Sequence, residues 1–136
     1  MSNKDLNFDT IEEICNRFNI VAPKTGFSYR GAVSHPINKH VVFWWPAENN
    51  TKDWQNTINA SETRIEESHS GEEKNAEHFE THIHGEQIRC VFYKYKDKPY
   101  KFVGVFVLNQ LASQKEKKIV WVKIADELYL GNLTNN

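Results

Sequence analysis

The stretch KPYKFVGVFVL, Lys98 to Leu108, constrains the fold more than any other part of the chain. Read as an extended strand, it puts Tyr100, Phe102, Gly104, Phe106 and Leu108 on one side and Lys101, Val103, Val105 and Val107 on the other. Neither side is plainly polar. A strand apolar on both faces sits centrally in a sheet that is covered twice or closed into a barrel. Gly104 fits such a place, because a glycine inside a strand commonly marks a bend where a barrel curls.

The neighbouring segments extend this reading. EQIRCVFYKY, the turn KDKP, the central strand, a ten-residue loop from Asn109 to Lys118 and the strand IVWVKI form a predicted antiparallel meander. Upstream, GFSYRGAV and HVVFWWP read as two strands, the second stopped by Pro46. TKDWQNTINASETRIEES reads as a short helix capped at Thr51 or Asp53 that passes into a strand near Thr63 to Glu67, and HSGEEKNAEHF as a loop or short helix. DTIEEICNRF spaces Ile11, Ile14, Cys15 and Phe18 as one face of a helix, with Asp9 as N-cap and Glu12 closing a capping box. With 136 residues the chain is long enough to bury one core. The expectation is an α+β fold in a single domain, 1–136: a small curved antiparallel β-barrel over about 27–124, with one N-terminal helix at about 9–19 packed on it.

No apolar run is long enough to span a membrane, and the N-terminus MSNKDLNFDT lacks the apolar core of a signal peptide, so the expected location is cytoplasmic. Cys15 and Cys90 lie inside predicted regular elements without metal-type spacing and read as buried, reduced thiols. The N-x-S/T matches at Asn49, Asn59 and Asn132 carry no meaning in that compartment.

Charge is segregated along the chain. Glu62 to Glu86 holds eight acidic residues against two basic ones, net −6, whereas Gln87 to Lys123 holds nine basic residues against two acidic ones, net +7. Such asymmetry suits a nucleic-acid-binding half beside an acidic segment. Aromatic residues collect before the acidic segment. Trp44 and Trp45, adjacent in a strand, must leave it on opposite faces, so one can be core while the other is exposed or lines a pocket. Together with Tyr29, Arg30 and Trp54 it would offer faces for base stacking, and Asn56 or Asp53 would read a base edge.

Signs of catalysis are weaker. His78, His82 and His84 in HFETHIH are the best metal-like cluster, yet their flanks are loop-like and the reading is a surface cluster with no ion. HPINKH, from His35 to His40, has no strand pair or zinc-type cysteines around it to build a nuclease centre. Glu72 and Lys74 match half of a metal-dependent nuclease motif but sit in a polar stretch rather than on an apolar strand. There is no phosphate-binding glycine loop, G-x-S-x-G or C-x-x-C.

The ordered set YRGAV, FWWP, WQNTI, TRIEES, GEQIRCVFYKY, YKFVGVFVL and IVWVKI resembles the PUA/SRA-like modification-sensing domains found beside nuclease and helicase modules in bacterial restriction systems. The match covers roughly residues 27–124 and is most specific at Tyr100, Phe102, Gly104 and Phe106. The resemblance implies a curved barrel that holds duplex nucleic acid against a basic face and, in SRA-like members, receives a flipped modified base in an aromatic pocket. The pocket candidates are then Tyr29, Arg30, Trp44 or Trp45, Trp54 and Asn56, with Lys94, Lys96, Lys98, Lys115, Lys117 and Lys118 on phosphates. The expected function is a non-enzymatic reader of modified double-stranded DNA without catalytic residues, metal or cofactor, working with a separate effector protein if it has one, and with no membrane partner. Two alternatives remain: an interaction or inhibitor module built on exposed tryptophans and the acidic segment, and a small metal-dependent nuclease.

Overall fold

A computed structural model describes residues 7–10, 13–14, 17, 24–25, 28–29, 32–34, 40–48 and 54–127, with backbone alone at 24–25, 28–29, 33 and 54. Its strands are β1 (Asn7–Phe8), β2 (Lys24–Thr25), β3 (Ser28–Tyr29), β4 (Ala32–Ser34), β5 (Val41–Trp44), β6 (Trp54–Ile58), β7 (Arg64–His69), β8 (Ile88–Lys94), β9 (Tyr100–Leu108) and β10 (Ile119–Ala125). Two helices complete the set, α1 (Glu72–His82) and α2 (Gln110–Glu116). Residues 13–14 and 17 are also helical.

Seven strands lie in the order β4-β5-β8-β9-β10-β7-β6, with β1 paired to β9 and β2–β3 forming a separate ribbon. The predicted meander is present as β8-β9-β10, and the tight turn after β8 closes with Lys98 N–H donating to Tyr95 O. Two expectations change. The sheet is mixed, because β5 runs parallel to β8 with Val41 beside Ile88, and among the described residues it is not closed. β7 attaches to the free edge of β10, so β6 ends one side of the sheet and β4 the other, and no barrel seam joins them.

Both faces of the sheet are covered, as the central strand demands. On one face Ile14, Val41, Phe43, Trp45, Cys90, Phe92, Phe102 and Val105 form a buried cluster; on the other, Trp44, Ile65, Val91, Tyr93, Val103, Phe106, Ile119 and Trp121 form a second. The alternation expected along β9 breaks at its glycine. Phe102 and Phe106 belong to opposite cores, because Val91 pairs with Gly104 while Phe92 pairs with Phe102, which leaves Val103 as an extra residue. This is a β-bulge. Gly104 adopts φ +132°, a conformation that side-chain-bearing residues rarely take, and a Cβ there would lie 2.8 Å from Ala125 O. The adjacent strand slips in step, with Lys123 opposite Phe106 and Ala125 opposite Val105, so Ile124 bulges out to solvent.

Local chemistry accounts for the other departures. The N-terminal capping box is built on Thr10 and Glu13 rather than on Asp9 and Glu12: Thr10 Oγ1 accepts from Glu13 N–H at 3.1 Å, and Glu13 Oε2 accepts from Thr10 N–H and Asp9 N–H. Ile14 reaches the core, while Ile11, Cys15 and Phe18 lie outside the described residues. The predicted helix after Thr51 or Asp53 is instead β6. Residues 51–53 lie outside the description, and Trp54–Ile58 pairs antiparallel with β7 through a turn in which Asn59 Oδ1 accepts from Thr63 N–H and Arg64 N–H. The segment 109–118, expected as a loop, contains α2. Asn109 caps it by accepting from Ala112 N–H at 3.0 Å, and Lys117 ends it at φ 58°, in the left-handed region. Ser113, on the buried face of α2, accepts through Oγ from Val120 N–H at 2.9 Å.

Candidate base-reading site

The hairpin β6–β7 pairs Trp54 with His69, Asn56 with Glu67 and Ile58 with Ile65. Cross-strand partners share a face, so Asn56 and Glu67 stand side by side on the covered side of the hairpin. Asn56 is only 7% exposed, and its Oδ1 has no hydrogen-bond partner among the described residues. Tyr93 O–H, from the second core, donates to the carbonyl of the same residue at 3.0 Å. A buried amide oxygen left unpaired costs on the order of 1–3 kcal/mol, which a ligand donor would recover.

Glu67 is the centre of a buried polar network. Trp121 Nε1 donates to its Oε1 at 3.2 Å, and His78 Nε2 from α1 lies 3.1 Å from the same oxygen. Among the described residues Oε2 receives no hydrogen bond. Burial pushes this carboxyl up, but the close His78 imidazole, the Arg89 charge and the Trp121 donor together outweigh it, and the net direction is down. Glu67 is thus a buried carboxylate. Arg89 is also buried, with its guanidinium carbon 4.2 Å from the Trp121 ring centroid and 4.7 Å from that of Trp44, and it donates through Nε and Nη2 to Gln87 Oε1. His82 meets His78 edge-on at 4.4 Å and is held down to about 4 by burial first, then by the charges of His78 and Arg89. A cleft of about 120 Å³ lined by Thr81, His82, Gly85, Gln87 and Trp121 opens onto this network.

The predicted pocket residues do not all gather here. Trp44 and Trp45 are each 4% exposed, one in each core, because a sheet covered on both sides buries both neighbours; the expectation that one must be open does not hold. Trp44 packs on Trp121, 5.8 Å between centroids, on the Glu67 side, while Trp45 lies across the sheet. Trp54 stands two positions from Asn56 in β6, Tyr29 lies in the β2–β3 ribbon, and Arg30 is outside the described residues. Sequence reasoning missed Glu67, Arg89 and Trp121, and took His78 only as part of a metal-like cluster. The signals were present: Glu67 alternates with Ile65 toward the apolar side of its strand, and Arg89 interrupts the apolar run of β8.

The lysines fall into two groups at opposite ends of β9, whose nine residues span about 30 Å at ~3.3 Å per residue. Lys94, Lys96 and Lys98 surround the β8–β9 turn, where Lys94 Nζ donates to Lys98 O. Lys115, Lys117 and Lys118 close α2 at the end where Glu67 pairs with Ile119. Lys118 Nζ is 2.6 Å from Glu66 Oε1, and Asn75 of α1 donates to Lys117 O. Glu72 and Lys74 lie in the first turn of α1, on a helix rather than the strand that a nuclease motif requires. No group of three or more His, Cys, Asp or Glu that could hold a metal occurs among the described residues. Cys90 is buried and its thiol is pushed up to about 12 by burial; Cys15 and His35 lie outside the described residues. No described helix is long and apolar enough to cross a membrane.

A mixed sheet covered on both faces, with a polar cluster buried under one helix, places the chain in a known class. It matches the SRA (SET and RING associated) domain model across residues 2–130 and belongs to that family, whose domains bind DNA and read modified bases. Among solved structures it is similar to the 5-hydroxymethylcytosine-specific restriction enzyme AbaSI, at 26% identity and a TM-score of 0.71 over 94% of this chain. The chain spans 41% of the length of that enzyme. No curated protein matches it.

Proposed function

We propose that the chain is a non-enzymatic reader of modified cytosine in double-stranded DNA, holding a flipped base against Asn56 and Glu67. The observation that carries this reading is the cross-strand pair itself: among the described residues, a buried amide oxygen without a partner beside a buried carboxylate whose Oε2 accepts no hydrogen bond. Both groups accept hydrogen bonds, which suits the exocyclic amine of cytosine; a carboxylate accepting from that amine is an established pairing. Extruding the base costs a few kcal/mol of lost stacking, and an aromatic ring in the pocket offsets it. Trp54, next but one to Asn56 in β6, supplies that ring in this reading, in place of Trp44 and Trp45.

Phosphate contacts fall to Lys115, Lys117 and Lys118, which share the Glu67 end of the sheet, more than to Lys94, Lys96 and Lys98 at the other end. The likeness to AbaSI supports 5-hydroxymethylcytosine as the modification. Fluorescence anisotropy with duplexes carrying one cytosine, 5-methylcytosine or 5-hydroxymethylcytosine tests this at several salt concentrations. The expected result is tightest binding to the hydroxymethylated duplex, lost in Asn56→Ala and Glu67→Gln while weak, salt-sensitive binding remains. Equal affinity for all three duplexes would overturn the reading.

A further inference from the structure

Arg89 poses a problem for the fold. It is buried, yet among the described residues no carboxylate lies within ion-pair distance of it, and its hydrogen bonds run to the neutral Gln87. A desolvated guanidinium without a direct counter-ion is costly, and an apolar residue would fill the same space in β8 without that penalty. Its surroundings indicate what the charge does. The guanidinium lies over both Trp44 and Trp121, and Trp121 presents its Nε1–H to Glu67. Arg89 therefore touches Glu67 through an indole and acts on it through space.

We propose that Arg89 is a positioning residue for the base-reading carboxylate: it anchors the Trp121 indole that donates to Glu67 and supplies the opposite charge beside it. The inference rests on the proposed reading of Asn56 and Glu67. Every group facing Glu67 has a place in it: His78 and His82 from α1, Trp121 from β10, Arg89 from β8 and Asn56 from β6. Four elements thus converge on one carboxylate, and Arg89 is the one permanent cation among these groups. Its loss leaves Glu67 with weaker support for the ionised form. A protonated Glu67 carries a donor where the base amine also needs an acceptor, so the pocket loses its preference for an amino group over a keto group.

The test compares duplexes carrying a single 5-hydroxymethylcytosine with duplexes carrying 5-hydroxymethyluracil, which differ by amine against carbonyl at C4 and by acceptor against N–H donor at N3. Arg89→Met should narrow the preference for the amino base and move the acid limb of binding to higher pH. Repeating the pH series in a His82→Gln background removes the contribution of that imidazole, which burial holds down to about 4. Arg89→Lys keeps the charge and removes the broad guanidinium from the rings, so it should fall between wild type and Arg89→Met, and it serves where Arg89→Met does not fold. A folded Arg89→Met with wild-type preference and pH profile, or an Arg89→Lys indistinguishable from wild type where only that variant folds, overturns the proposal. A wild-type chain that binds both duplexes equally overturns the base-reading function instead, and this inference with it.

Discussion

Replacing Gly104 with alanine tests whether the β9 bulge is required or incidental. The substitution costs twice. A residue bearing a Cβ at φ +132° sits in a backbone region that is nearly exclusive to glycine, which costs about 1–3 kcal/mol. The new methyl would lie 2.8 Å from Ala125 O and 2.8 Å from Lys123 Cε. The lysine can swing away, but the carbonyl belongs to the neighbouring strand and can yield only if the bulge at Ile124 shifts. Taking about 3 kcal/mol in all, and an unfolding entropy of about 0.29 kcal/mol/K from ~2.1 cal/mol/K per residue, the melting temperature should fall by about 10 °C. Thermal unfolding followed by circular dichroism reads this directly, and Gly104→Val should be worse. A melting temperature within about 3 °C of wild type for Gly104→Ala would refute the argument, since it would mean that β9 can flatten without cost and Phe102 and Phe106 need not serve opposite cores.

The remaining predictions concern the site. Asn56→Ala should leave the melting temperature within a few degrees, since its Oδ1 has no partner to lose, while weakening binding to the modified duplex by about 1–3 kcal/mol; a large loss of stability would make Asn56 a structural residue. Changing Lys115, Lys117 and Lys118 together to Gln should reduce the slope of log K against log salt by about one unit per lost phosphate contact, and the same change at Lys94, Lys96 and Lys98 should reduce it less; the reverse order would put the duplex at the other end of β9. Cys90, with its thiol held up at about 12 and its side chain in the core, should resist iodoacetamide at pH 8 until denaturant is added; prompt alkylation of its peptide in the native protein would contradict the packing.

What the sequence reveals and conceals follows from how local each signal is. The meander was legible because β8, β9 and β10 are apolar runs separated by turns, and their pairing is between neighbours in the chain. The parallel partnership of β5 with β8 was not, because nothing in HVVFWW names a partner across the intervening β6, β7 and α1. The bulge at Gly104 is visible only as a glycine; strict alternation then places Phe106 on the wrong face. Helix α2 was hidden by its length, since seven residues hold too few turns to show a period, and its caps at Asn109 and Lys117 fix it in place. The aromatic surplus led sequence reasoning toward Trp44 and Trp45, where the structure buries both. The polar residues of the site were harder to see, because Glu67, His78, Arg89 and Trp121 come from four separate elements and meet only in the fold.

The attachment of β7 to β10 has a consequence for how the molecule is made. Glu67 and Trp121 are 54 residues apart in sequence, and β10 is the last described strand to leave the ribosome. Until it does, the β6–β7 hairpin has no edge to join, and a lone two-stranded hairpin is marginal in water. The β6–β7 hairpin therefore waits, synthesised early and seated late, while β8 and β9 can already pair as a local unit. Such long-range closure slows folding and leaves strand edges open to wrong partners in the interval. A ribosome stalled before Ile119 would hold a chain with most of its apolar strands and no formed site, so reading capacity arises in one step with the completion of the sheet.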